Sequence, residues 1–340
     1  QNRLAEASSV FGKAADAAKR GLGAKHTTTL DMQQGFVDAL IGLGRVDEAQ
    51  QPARRLVSAC RGAAGQKEAA KDLRLARALD AVALTLVKPG QLQQPGQAMS
   101  LGVLQEAISF RREAADIYAA ALGPGSFREI SALQAAAELA QARGAPAEAK
   151  RWLVRAWAAA GVRGASFSEA SGADKAMSSA LGGIANNLGM LLRSAAEPER
   201  AGEAEGWLRS AVSSFGFSGG PDLGFFRATG NLADYLRSKG RVQEALPLAS
   251  QSLAGLDSLG SEARGDALIG QSNLALLFYT SGRNPEAEAW YRRSVIGYES
   301  MFGRSSSEAI SARRDLQELL RRLGRPAEAD RLGRTSGGEL

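Results

Sequence analysis

The stretch Gly282-Arg283-Asn284-Pro285-Glu286-Ala287-Glu288-Ala289-Trp290-Tyr291-Arg292-Arg293-Ser294-Val295 decides the fold. Gly282 supplies the left-handed residue that ends a helix, and Pro285 opens the next one without losing a hydrogen bond. Ala287, Trp290, Tyr291, Ser294 and Val295 then follow the i, i+3, i+4, i+7, i+8 rule of one helix face. The same phrase returns along the chain. Its Glu-Ala pair recurs as Glu6-Ala7, Glu48-Ala49, Glu106-Ala107, Glu148-Ala149, Glu203-Ala204, Glu244-Ala245, Glu286-Ala287 and Glu328-Ala329. Successive alanines lie 42, 58, 42, 55, 41, 42 and 42 residues apart. A constant period of this size is the signature of stacked helical repeats.

The helix that carries Glu-Ala is called B. The apolar face fits at Ala7, Val10, Phe11, Ala14 and Ala15, and again from Ala149, Ala204 and Ala245. A Gly-based turn precedes B at Gly44, Gly144, Gly240, Gly282 and Gly324. Before each turn an apolar stripe defines a helix A, such as Leu232, Ala233, Tyr235 and Leu236 before Gly240. The A helices are expected at about 27–43, 69–87, 127–143, 174–193, 222–239, 262–281 and 305–323, giving about fifteen helices with the B segments. The fold class is therefore all-α, a solenoid of about seven helical hairpins. One solenoid is expected over 1–332, irregular and basic over 1–173 and regular over 174–332, with a flexible tail at 333–340. Insertions near 88–100 and 161–173 account for the two long steps. The array opens on a B helix, so an A helix is expected upstream.

Gly282 to Val295 and Asn231-Leu232-Ala233-Asp234-Tyr235-Leu236 resemble the tetratricopeptide repeat, in its kinesin-light-chain form with a 42-residue period. The likeness covers nearly the whole chain and is strongest from about 222 to 330. It implies a right-handed superhelix whose concave face is lined by A helices and binds peptides or protein surfaces. In such repeats, asparagines of the A helices hydrogen-bond the backbone of an extended ligand.

Asn187, Asn231 and Asn273 each precede Leu in the same local phrase. Asparagine is a poor residue for a helix interior, and its amide both donates and accepts. Two roles are open for the three: contact with a partner in the groove, or bonds between neighbouring helices. Arg227 lies one turn before Asn231 and suits an acidic ligand group. Gly35 and Ala135 stand at the corresponding place in earlier A helices and Asp315 in the last, so a continuous asparagine ladder is not expected.

The remaining candidates read as structural. His26 is the only histidine, with no partners for a metal or a triad, in a loop leading to a helix with threonines at its start. Cys60 is the only cysteine and reads as a packed thiol; no intrachain disulfide is possible, which favours an intracellular site, cytoplasm or organelle interior. Trp152, Trp207 and Trp290 lie three residues after the repeat alanine, where Phe110 and Leu248 also occur, and are assigned to the core. There is no Gly-rich phosphate loop, and no apolar run of the roughly 20 residues a membrane span needs. No catalytic residue, metal, cofactor or small-molecule substrate is expected.

Charge divides the chain. Residues 1–160 carry 21 Lys+Arg against 15 Asp+Glu, and residues 161–340 carry 21 against 21, so the net +6 belongs to the first half. Arg54, Arg55, Lys71, Arg74 and Arg77 form a possible basic surface. Two functions follow. The first is a non-catalytic protein–protein interaction scaffold or adaptor, a subunit of a larger assembly. The second is a structural subunit of a ribonucleoprotein, or an organellar RNA factor, using the basic half. No block of basic residues interleaves with aromatics, which weighs against RNA.

Overall fold

A computed structural model describes residues 2–63, 72–87, 99–162, 172–194, 201–217 and 220–334. Among them the secondary structure is helical throughout, and the chain divides into two compact units, residues 1–168 and 169–340. The insertion Lys88 to Gly96, most of the Gly/Ser-rich stretch after Gly161, Lys67, Lys71 and residues 335–340 lie outside the described residues.

The first unit holds α1 (Asn2–Leu22), α2 (Thr27–Gly42), α3 (Val46–Ala63), α4 (Leu73–Leu86), α5 (Leu101–Leu122), α6 (Phe127–Ala142) and α7 (Pro146–Val162). The second holds α8 (Gly172–Ser194), α9 (Ala201–Gly216), α10 (Leu223–Ser238), α11 (Val242–Ser258), a one-turn 3₁₀ helix (Gly260–Ala263), α12 (Arg264–Thr280), α13 (Asn284–Phe302), α14 (Ser307–Arg322) and α15 (Pro326–Arg334). The A helices are α2, α4, α6, α8, α10, α12 and α14, each paired with the B helix that follows. The hairpins α2–α3 and α14–α15 bracket the series, and α1 is a B helix packed on α2. Within a unit, successive A helices also touch: α2 with α4, α8 with α10, and α10 with α12.

The turn chemistry fixes this register. Gly44, Gly144, Gly240, Gly282 and Gly324 hold φ between 73° and 79°. The next amide reaches back to the carbonyl five residues earlier: Arg45 to Leu40, Arg241 to Leu236, Arg283 to Phe278 and Arg325 to Leu320, each at 2.9 Å. This closure satisfies the orphan carbonyls at a helix C-terminus and needs the left-handed residue that glycine supplies. The repeat alanines Ala49, Ala107, Ala149, Ala204, Ala245, Ala287 and Ala329 are all 0% exposed. Each of these methyls is wholly enclosed by its neighbours. Ala7 in α1 is only half-buried, and Val10, at the next position of its apolar face, is 64% exposed.

The glutamate beside each alanine has a specific partner in most repeats. The turn arginine pairs with it: Arg45 with Glu48, Arg241 with Glu244, Arg283 with Glu286 and Arg325 with Glu328. Arg143 and Glu148 do the same. Arg241 and Arg283 occupy N-cap positions with no side-chain cap bond, so the ion pair stands where a Ser or Asp cap would. The macrodipole alone therefore does not explain these glutamates.

The three tryptophans occupy a different layer from the one expected. Phe110, Trp152, Trp207, Leu248 and Trp290 are all half-buried, packed on the core rather than inside it. The adjacent residue is the buried one: Leu153, Leu208, Ala249 and Tyr291. The start of α2 also differs from expectation. His26, not a threonine, is the N-cap, its Nδ1 accepting from the Thr28 amide at 3.3 Å, while Thr29 donates to the Gly23 carbonyl.

Candidate functional site

The site is built from the outward faces of the A helices in the second unit. Arg227, Asn231 and Asp234 lie one turn apart along α10 and share a face. Arg227 makes a two-pronged pair with Asp266 of α12, at 2.8 and 2.7 Å. The Asn231 amide donates to the side-chain oxygen Oδ1 of Asn186 on α8 at 2.9 Å. Asp234 receives two arginines, Arg193 of α8 at 2.5 Å and Arg237 of its own helix at 2.7 Å. Asn187 is half-buried beside Asn186. Asn273 on α12 is half-buried and makes no hydrogen bond among the described residues. Arg322 of α14 donates to the Tyr279 hydroxyl of α12 at 2.8 Å.

Of the four residues assigned to the groove, Arg227 and Asn231 are thus engaged with neighbouring A helices. Asn273 keeps its amide free of such bonds. The residues missed by the sequence reading are Asn186, Arg193, Asp234 and Asp266. A signal for some of them exists: an acid stands six residues before the turn glycine at Asp38, Glu138, Asp234 and Glu318. In the first unit, Asp38 accepts from Gln34 at 2.7 Å and pairs with Arg77 of α4 at 2.5 Å.

The possible basic surface is largely neutralised. Arg54 pairs with Glu106 through two bonds, at 2.7 and 3.1 Å. Arg74 lies by Asp72 at 3.4 Å and Asp31 at 3.7 Å, and Arg77 is held by Asp38. Arg55 is exposed and forms no ion pair among the described residues. Lys71 is outside them. Cys60 is fully buried, and desolvation pushes its thiol up to about 11. Among the described residues no group of His, Cys, Asp and Glu could hold a metal ion, and no helix is long and apolar enough to cross a membrane.

A-B hairpins with buried alanines at the contact, Gly turns and a 42-residue period define an array of tetratricopeptide type. Residues 224–300 match the tetratricopeptide repeat family. NprR, a quorum sensor from B. thuringiensis, superimposes in its apo form with a TM-score of 0.60 at 14% identity, over 98% of this chain and 82% of its own. Aspartyl phosphate phosphatase F from Bacillus subtilis gives 0.56 at 13% identity, over 94% and 72%. The nearly identical repeats of a Podosopora anserina kinesin light chain candidate give 0.48 at 18% identity, over 61% and 92%. The likenesses to NprR and to phosphatase F concern the fold alone. No curated protein sequence matches the chain.

Proposed function

We propose that this chain is a non-catalytic scaffold that holds protein partners on the A-helix face of its second unit, as one subunit of a larger assembly. The observation that carries the reading is the row of polar side chains across α8, α10 and α12: Asn186 with Asn231, Arg193 with Asp234, Arg227 with Asp266, and Asn273. Polar residues at half-buried positions of a helix face cost helix propensity, and a recognition surface is one reason to keep them there. A single cysteine fits a reducing interior, cytoplasm or organelle. The ribonucleoprotein alternative draws support from the +6 of residues 1–160, but its arginines are mostly spent on acids of the same unit. Affinity capture with the full chain tests the proposal. The Asn231→Ala/Asn273→Ala variant should lose partners that Gln251→Ala, on the exposed side of α11, retains. Equal capture by all three proteins contradicts it.

A further inference from the structure

The face carries one pair of positions three times, at a spacing of 42: Arg227 and Asn231 on α10, Ile269 and Asn273 on α12, Ser311 and Asp315 on α14. In each pair the residues are one helical turn apart and so share a face. The first pair is spent internally, Arg227 on Asp266 and Asn231 on Asn186. The other two pairs are not. Ile269 is 54% exposed. It lies three residues after Asp266, whose bond to Arg227 turns this side of α12 toward the A-helix face. Asn273 follows one turn later with its amide unbonded among the described residues. Asp315 is exposed and has no ion pair among the described residues. Burial on its inner side pushes its carboxyl upward, offset in part by Arg314. Its charge reaches the phenols of Tyr291 and Tyr298 on α13. Arg322, two turns further along α14 on the same side, is bonded to Tyr279 of α12, so this side of α14 faces α12.

Resting on the scaffold reading above, we propose the chemistry of the partner. It is an extended segment that lays a branched aliphatic side chain on Ile269, bonds its backbone to the Asn273 amide and places a cationic side chain on Asp315. Charge complementarity selects the cation. Arg227 and Asp266 neutralise each other, and Asp234 is already shared by two arginines, which leaves Asp315 as the unpaired charge in this series. An apolar contact suits Ile269 because its exposed surface gains from being covered. The two-sided amide of Asn273 matches an extended backbone, whose N–H and C=O groups carry no partners of their own.

The test uses the full chain and fluorescein-labelled Gly/Ser dodecapeptides. One set carries an Ile-Val pair with Lys three to five residues away on either side; the controls replace Lys by Glu, or Ile-Val by Ser-Ser. Fluorescence anisotropy is expected to show the Ile-Val/Lys peptides binding about ten-fold tighter than either control, a step of one decade in Kd. Asp315→Asn should erase the preference for Lys over Glu, and since it removes a partly desolvated charge it should leave the melting temperature unchanged or higher. Ile269→Ser should erase the preference for Ile-Val, while Gln251→Ala, on the exposed side of α11, leaves both preferences in place. Equal binding of the Lys and Glu peptides, or a Lys preference that survives Asp315→Asn, overturns this assignment and leaves the scaffold reading standing. No binding of any peptide, together with equal partner capture by the Asn231→Ala/Asn273→Ala variant, removes both.

Discussion

Asn231 on α10 donates its amide to Asn186 on α8 at 2.9 Å, whereas Asn273, at the same place one repeat later, has no such bond. Identical residues at equivalent positions thus do different work. The first ties two hairpins together, and the second makes no hydrogen bond among the described residues.

The difference is measurable as stability. Replacing Asn231 by alanine breaks a part-buried hydrogen bond and should cost about 1 kcal/mol. Asn273→Ala removes no intramolecular bond and should stay within about 0.5 kcal/mol of the native protein. Urea unfolding of both variants checks this. A larger loss for Asn273→Ala would mean that its amide is structural.

Glycines in this chain serve two opposite purposes. Gly282 sits at φ 78° with open space around it, so Gly282→Ala should cost about 1–2 kcal/mol from backbone conformation alone. Gly206 lies on an exposed face inside α9 with nothing near its absent side chain. Gly206→Ala should gain about 0.5–1 kcal/mol by reducing the freedom of the unfolded chain. Opposite signs in thermal unfolding are the expected outcome.

Acid should loosen the contacts between successive B helices. Glu205 is hydrogen-bonded by Arg241 and Arg209, and Glu244 by Arg241, which hold both carboxyls below their ordinary value. Glu288, though burial pushes it up, is brought below that value by Arg325 and Arg292, and Glu328 is lowered by the same two arginines. A depressed folded value means stability that is complete above the unfolded carboxylate pKa, about 4.3. It is lost as pH falls through the folded value. The contribution of these groups to the melting temperature should be flat from pH 8 to 5 and fall below about pH 4. Glu288→Gln should lower the neutral plateau and shrink that acid drop; an unchanged drop would show that other carboxylates carry it.

Cys60 should be silent in the folded protein. Its thiol is buried, and its pKa near 11 leaves almost no thiolate at neutral pH. Labelling by a disulfide reagent at pH 7 should proceed at the rate of unfolding and accelerate sharply in denaturant. Rapid native labelling would place the thiol at the surface.

Much of the fold was legible because two devices have characteristic residue types. The left-handed turn favours glycine, and the fully enclosed position at the start of each B helix holds alanine, so Gly44 to Gly324 and Ala49 to Ala329 mark the array by themselves. The site was less legible. Asn231 and Asn273 look alike in sequence, and only the position of Asn186, one residue away from the expected Asn187, separates them. The arginines of residues 54–77 read as a surplus of charge because their partners, Glu106 and Asp38 among them, are distant in sequence and adjacent in space. Trp152, Trp207 and Trp290 misled by size: a large ring at a half-buried position covers the core without entering it.

The central claim is that partners dock on the A-helix face of the second unit. Site-specific photocrosslinking tests it most directly, with a photoreactive phenylalanine at Asn273 or at Gln251 of the full chain. Crosslinks from position 273 to protein, and few from position 251, are predicted. Crosslinks to protein from position 251 alone, or to RNA from either position, would contradict the account.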